Sequence, residues 1–274
     1  MDNRPIGFFD SGLGGLTCIP HLMKALPDER IIYFGDTART PYGSKAVATI
    51  KNFSREIAGF LVKSNVKMIV IACNTVSAIC LEDLRTRFPQ VPILGIIEPA
   101  ARATARRCSA ENNIGIIGTK VTINSRAYRN SINRYNADLH IYEASCPAFV
   151  PLIEEGIIEN EIMDLTIKYY MDDFVYQNRL DTVVLGCTHY PLIKKNIERI
   201  YPGLNIINPS SIIVSNVRRI LEEDDLFAAK SDVKNVFYAS DLSENFLNMI
   251  DHIFEDESDD AKIEFLNFDL ENGE

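Results

Sequence analysis

Two cysteines close strand-like runs in the same way. Met68-Ile69-Val70-Ile71-Ala72-Cys73-Asn74-Thr75 and Thr182-Val183-Val184-Leu185-Gly186-Cys187-Thr188-His189 each read as a buried strand, a small residue, a thiol and a polar pair, with a helix-like stretch after them. A thiol at the carboxyl end of a strand, ahead of a helix N-terminus, meets the partial positive charge of the first free N–H groups. That setting lowers a cysteine pKa from about 8.5 and turns the sulfur into a base. The same N–H groups can hold a carboxylate, and Asn74, Thr75 and Thr188 add side-chain donors there. A lone cysteine in such a place is as readily a small buried hydrophobe. Two in matched settings, with acid/base residues in companion motifs, point to a functional site rather than to packing alone.

Companion groups for such chemistry lie close by in sequence. Asp10-Ser11-Gly12-Leu13-Gly14-Gly15 follows the first strand-like run. Its glycines allow a tight turn with the backbone close to a ligand. Asp10 is either an N-cap or a carboxylate beside one thiol. The segment is not G-x-G-x-x-G, so it does not read as a dinucleotide site, and no P-loop pattern occurs. His189, two residues after Cys187, is either a satisfied core histidine or a proton relay. The loop Gly35-Asp36-Thr37-Ala38-Arg39-Thr40-Pro41-Tyr42-Gly43-Ser44 is punctuated by Pro41 and Gly43, and can turn Tyr42 and Ser44 to a ligand. The remaining cysteines, Cys18, Cys80, Cys108 and Cys146, have no such company and read as structural. A zinc site from Cys73, Cys187 and His189 would have compatible donors. However, Cys187 and His189 are only two residues apart and no fourth ligand is evident, so no metal is expected.

These residues need strands to end at one edge. Short apolar runs supply them: Ile6–Phe9, Ile31–Phe34, Met68–Ala72, Ile93–Ile96, Ile114–Ile117, Leu139–Tyr142, Val183–Leu185, Leu204–Ile207 and Val236–Tyr238. They read as strands covered on both faces. Amphipathic stretches such as Lys45–Ser64, Val76–Arg87, Ser125–Tyr135 and Glu159–Gln177 lie between them. The alternation predicts an α/β fold with mainly parallel sheets flanked by helices. The paired cysteine segments, with a fainter echo of Asp10-Ser11-Gly12 in Gly118-Thr119-Lys120, predict two similar lobes with the site in the cleft between them. Residues 1–98 and 210–274 are expected in the first lobe, and 99–209 in the second. The acidic run Glu255–Asp260 reads as a solvated loop.

Composition narrows the class. The chain has 274 residues, 46% hydrophobic and 24% charged, as in an ordinary globular protein. No apolar run approaches the roughly 20 residues that a membrane span needs, and the first residues lack the apolar core of a signal peptide. A net charge of −10 argues against nucleic-acid and anionic-membrane partners. The six cysteines include no C-x-x-C pair. A soluble cytoplasmic protein with reduced thiols and a small-molecule substrate is expected.

With these segments in hand, the chain resembles the bacterial glutamate racemases of the aspartate/glutamate racemase superfamily. The matching stretches are FDSGLGG at Phe9–Gly15, YFGDTARTPYG at Tyr33–Gly43, IACNTVSA at Ile71–Ala78, GIIEP at Gly95–Pro99, GTKVTI at Gly118–Ile123 and LGCTHYPL at Leu185–Leu192. They occur in family order over about the first three quarters of the chain.

The resemblance implies that Cys73 and Cys187 are the catalytic bases and that Asp10 and His189 assist them. It implies that Asp10, Ser11, Tyr42, Gly43, Asn74, Thr75, Thr188 and His189 meet the substrate, with Thr119 and Thr122 as further contributors. It implies interconversion of L- and D-glutamate without pyridoxal phosphate or any other cofactor, a homodimer, and a role in supplying D-glutamate for peptidoglycan. In the family, Cys187 would deprotonate the L-isomer and Cys73 the D-isomer. Asn208-Pro209-Ser210-Ser211 departs from an aspartate-containing stretch expected there, and is expected to lie far from the site. An aspartate or hydantoin racemase would use the same cysteine pair, and an amino-acid-binding protein without turnover would leave the two thiols superfluous.

Overall fold

The computed structural model describes residues 1–230, 234–242, 247, 250, 253–254 and 263–267. Ten strands run through it: β1 Ile6–Asp10, β2 Ile31–Gly35, β3 Met68–Ile71, β4 Ile93–Gly95, β5 Asn113–Gly118, β6 His140–Ser145, β7 Thr182–Gly186, β8 Asn205–Ile207, β9 Asn235–Ala239 and β10 Ile263–Asn267. They form two sheets, a six-stranded one ordered β10-β9-β2-β1-β3-β4 and a four-stranded one ordered β6-β5-β7-β8. Every pairing among the described residues is parallel. The innermost strands, β1, β2, β3 and β7, are buried along their whole length. That explains their near-continuous apolar sequences, since helices cover both faces.

The strand order fixes where ligands can sit. In the first sheet the chain runs from β1 to β2 on one side and later to β3 on the other. In the second it runs from β5 to β6 on one side and to β7 on the other. Each pair, β1/β3 and β5/β7, is therefore a topological switch point, with a crevice beyond the strand carboxyl ends. Cys73 lies two residues past the end of β3, and Cys187 directly follows β7. The two thiols occupy equivalent places in their sheets.

One apolar core runs continuously from one face of the first sheet through the second sheet, joining Phe8, Tyr33 and Val70 to Ile116, Val184 and Leu185. A second core, with Phe9, Phe34, Ile69 and Ile71, fills the other face of the first sheet. Helices Ile97–Arg107 and Pro209–Glu223 pack on each other, and the former also packs on helix Ala127–Tyr135, so the two sheets are tied together opposite the cleft. At the far end of the first sheet, Lys67 is fully buried and its Nζ lies 2.5 Å from Glu29 Oε2. The same ammonium donates to the carbonyls of Asp2 (2.8 Å) and Leu226 (2.7 Å), which ties the N-terminus to the end of helix Pro209–Glu223.

Three local expectations need correction. The stretch Val76–Arg87 is not one helix but two, Asn74–Ile79 and Leu81–Arg87, joined at Cys80. The thiol of Cys187 does not cap an α-helix; a short 3₁₀ turn, Tyr190–Ile193, leads into helix Lys194–Ile200 instead. Strand β10 was not expected, because Ile263-Glu264-Phe265-Leu266-Asn267 mixes polar and apolar residues at the sheet edge. The acidic run at 255–260 lies outside the described residues.

Candidate active site

Both cysteine loops and the loop after β2 close on one pocket. Its lining includes Ser11, Tyr42, Gly43, Cys73, Asn74, Thr75, Thr119, Cys187, Thr188 and His189, which close tightly on one another. Residues that close β1, β2 and β3 thus face residues that close β5 and β7 across the cleft. Of the expected site residues, Asp10 and Thr122 do not line the pocket directly. Asp10 is fully buried behind it, and Thr122 is reached through Thr75 and Thr119.

The Cys73 side is built on the first lobe. The sulfhydryl is 4% exposed and donates to Ser11 Oγ at 3.5 Å. Burial pushes the thiol's pKa up, and the Asp10 carboxylate pushes it further, against the Ser11 hydroxyl and the Val76 N–H. The expected lowering by a helix N-terminus is therefore overridden at Cys73: dehydration outweighs the free N–H groups of a helix of only six residues. Asp10 accepts the Gly12 N–H (3.1 Å) and the Thr188 hydroxyl (3.3 Å). Burial raises its pKa, while His189, the Gly15 and Gly12 N–H groups and Thr188 oppose the rise. It is thus not a helix cap but ties the loop after β1 to the Cys187 loop.

The Cys187 side is built on the second lobe. His189 is 3% exposed. Its Nδ1 lies 3.9 Å from Cys187 Sγ, and its Nε2 lies 3.1 Å from Glu154 Oε1. Burial works to lower the imidazole pKa, but Cys187 and Glu154 outweigh it and hold it up at about 10. The ring is therefore an imidazolium at neutral pH, able to exchange a proton with the neighbouring sulfur. Glu154 also accepts the Thr40 hydroxyl from the other lobe, at 3.1 Å. Sequence reasoning passed over Glu154, because Ile153-Glu154-Glu155-Gly156 reads as the frayed end of a helix. Only the approach of His189 and Thr40, distant in sequence, gives it a part.

Hydroxyls and glycines join the lobes. Thr75 Oγ1 lies 3.0 Å from Thr119 Oγ1 and 3.3 Å from Thr122 Oγ1, and Thr119 and Thr122 are 3.0 Å apart. A Cβ on Gly43 would lie 2.5 Å from Thr119 Cβ, and one on Gly14 would lie 2.5 Å from both His189 Nδ1 and Thr188 Oγ1. At these two positions glycine permits one lobe's backbone to touch the other's side chains. Tyr42 is 1% exposed, and its hydroxyl donates to the buried Asp36, which also takes Arg39 Nε (2.8 Å) and the Ser240 hydroxyl (2.9 Å). That network fixes the loop carrying Tyr42 and Gly43.

Asn208–Ser211 is not remote, as the sequence reading had it. Ser210 Oγ lies 2.8 Å from Thr17 Oγ1, which also bonds the carbonyl of Thr188 (3.2 Å). The departure from the family pattern therefore supports the Cys187 loop from behind. The other four cysteines are free and buried, as Cys73 and Cys187 also are. Among the described residues no group of three His, Cys, Asp or Glu side chains is arranged to hold a metal ion, and no helix is long and apolar enough to cross a membrane.

Comparison with known proteins gives consistent similarities. A sequence model described as Asp/Glu/Hydantoin racemase matches residues 17–217. A glutamate racemase from Sulfurihydrogenibium sp. is 44% identical over 245 residues, covering 89% of this chain and 93% of that protein. One from Neisseria meningitidis is 42% identical, covering 89% of this chain and 90% of that protein. The crystal structure of glutamate racemase from Francisella tularensis in complex with D-glutamate superposes with a TM-score of 0.90 at 36% identity, covering 99% of this chain and 100% of that one.

Proposed function

The chain belongs to the Asp/Glu/Hydantoin racemase family, and from that membership and the cleft geometry we propose that it interconverts L- and D-glutamate with Cys73 and Cys187 as its two bases. The observation that carries this reading is the single pocket lined by both thiols, one from each switch point. Glutamate is the substrate favoured by the relatives, which are named glutamate racemases at 39–44% identity.

In the direction carried over from the family, Cys187 sulfur as thiolate takes the α-proton of L-glutamate. The C–H electron pair stays on the α-carbon, and the Cys73 S–H bond breaks as its proton goes to the opposite face. D-Glutamate leaves, and the protonation states of the two sulfurs have exchanged, ready for the reverse reaction. Such a pair needs no imine-forming cofactor, because donors already in place stabilise the developing charge. Asn74, Thr75 and Thr188 are buried donors at the pocket wall. His189 exchanges protons with Cys187, and Asp10 steers charge between the two loops. Ser11, Tyr42 and Gly43 shape the first-lobe wall, with Thr119 and Thr122 opposite them.

The division into lobes of residues 1–98 with 210–274 and of residues 99–209 is supported by the strand content of the two sheets. A homodimer is supported by Ile162, Leu165, Tyr169 and Tyr176, which share one exposed face of helix Glu161–Gln177. In the cell we assign the protein to the cytoplasm, supplying D-glutamate for peptidoglycan, with no nucleic-acid or membrane partner.

The decisive experiment follows L-glutamate by circular dichroism with purified protein and no added cofactor, in parallel with L-aspartate and in deuterated buffer. Loss of optical activity with α-deuteration of glutamate supports the reading. Activity on aspartate alone reassigns the substrate, and binding without deuterium exchange makes the protein a receptor rather than an enzyme.

A further inference from the structure

Tyr128 stands on helix Ala127–Tyr135 of the second lobe and is 1% exposed. Its hydroxyl donates to Asn74 Oδ1 across the cleft at 2.6 Å. Burial drives the phenol pKa upward, so this hydroxyl keeps its proton, and a buried O–H needs an acceptor. An asparagine amide can turn either end to a neighbour, and its partners decide which. With Asn74 Oδ1 committed to the Tyr128 proton, Nδ2 is turned away from it. That nitrogen is buried and has no hydrogen-bond partner among the described residues, while Asn74 lines the pocket. The reverse amide orientation would strand the Tyr128 proton and face the pocket with an oxygen, the wrong end for an anionic substrate. The Tyr128 ring also reaches the other thiol's strand: a Cβ on Gly186, the residue before Cys187, would lie 3.3 Å from Tyr128 Cε2.

The geometry points to Tyr128 as a positioning residue that locks the Asn74 amide with its NH₂ toward the pocket, as a donor to a substrate oxygen, and seats the strand end that carries Cys187. This deepens the racemase reading and rests on it for the identity of the substrate. One side chain thereby sets the residue after one base and the residue before the other.

Tyr128→Phe, Asn74→Ala and the double variant test it. Loss of one well-aligned donor raises KM for both glutamate enantiomers by about tenfold in Tyr128→Phe. In that variant kcat falls by less, since the phenyl ring still seats Gly186. Tyr128→Leu, which removes the ring as well, lowers kcat in addition. In the Asn74→Ala background the Phe substitution adds no further KM change, because the two act as one unit. A purely structural tyrosine would lower Tm without splitting KM from kcat. Wild-type KM in Tyr128→Phe, or independent KM penalties for the two substitutions, overturns the inference. Side-chain amide NMR of Asn74 supplies a readout without turnover: its Nδ2 proton signals shift and broaden in Tyr128→Phe. Unchanged signals overturn the inference. Changed signals in a protein that leaves glutamate untouched sustain the lock and reject the activity instead.

Discussion

Glu154 Oε1 lies 3.1 Å from His189 Nε2, and the other nitrogen of the same ring lies 3.9 Å from Cys187 Sγ. A carboxylate, an imidazolium and a thiol are thus in series, and the carboxylate helps to hold the imidazole pKa at about 10. Glu154→Gln keeps the shape and removes the charge. The imidazole pKa then falls, and the alkaline limb of the kcat/KM profile moves to lower pH while the acid limb stays. The same group contributes to folding stability with a definite sign. Its folded pKa lies above the ordinary 6.5, so the contribution is complete below pH 6.5 and fades as pH rises through about 10. A pH–rate profile with an unmoved alkaline limb would reject the series.

The two-base scheme makes each sulfur indispensable. Cys73→Ser and Cys187→Ser should each lower racemisation at least about 10²–10⁴-fold, the usual worth of a positioned acid or base. Both directions of turnover must be assayed, since each residue is base in one and acid in the other. Near-normal turnover in either variant is incompatible with the scheme.

Lobe contact at Gly14 is steric. An alanine there would put its Cβ 2.5 Å from His189 Nδ1 and from Thr188 Oγ1, so the histidine or the whole lobe must shift. Displacing a catalytic group by about 1 Å commonly costs about 100-fold, and Gly14→Ala is expected to lose that much in kcat/KM. Its Tm should change little, because the clash is across the cleft rather than inside a core. Unimpaired kcat/KM would mean that the lobes do not need this closeness.

Lys67 serves the fold and not the chemistry. With its ammonium fully buried against Glu29, Lys67→Met leaves a carboxylate uncompensated in the interior. Breaking such a pair costs about 3–5 kcal/mol, measured as a lower urea midpoint with unchanged slope, while kcat at low temperature stays the same. A loss below about 1 kcal/mol would show the pair to be dispensable, within the range of exposed ion pairs.

Most of this architecture was legible because buried strands and their ends leave local marks. The apolar runs ending at Asp10, Cys73 and Cys187 announce themselves by composition, and all of them close strands at switch points. The resemblance to a known family singled out neighbouring polar residues, and most of them line one pocket. Glu154 and Tyr128 left no such mark. Each looks ordinary in its own helix, and its part arises from partners 35 and 54 residues away. The tuning of Cys73 was misjudged for a related reason. Helix dipole and charge can be read along the chain, but the depth of burial that outweighs them is a property of the packed lobes.

The two sulfurs have unlike neighbours: a serine and an aspartate beside one, a histidine–glutamate pair beside the other. Mirror-image substrates have identical free energies in water, so no asymmetry in the protein can favour one product at equilibrium. What the unlike surroundings can do is trade affinity against speed separately for each hand. The forward and reverse kcat/KM values must stay equal, yet saturation and maximal velocity can differ severalfold between L and D. A protein built this way sets how fast a racemic balance is reached from whichever side is abundant, and leaves any net supply of one enantiomer to whatever consumes it next.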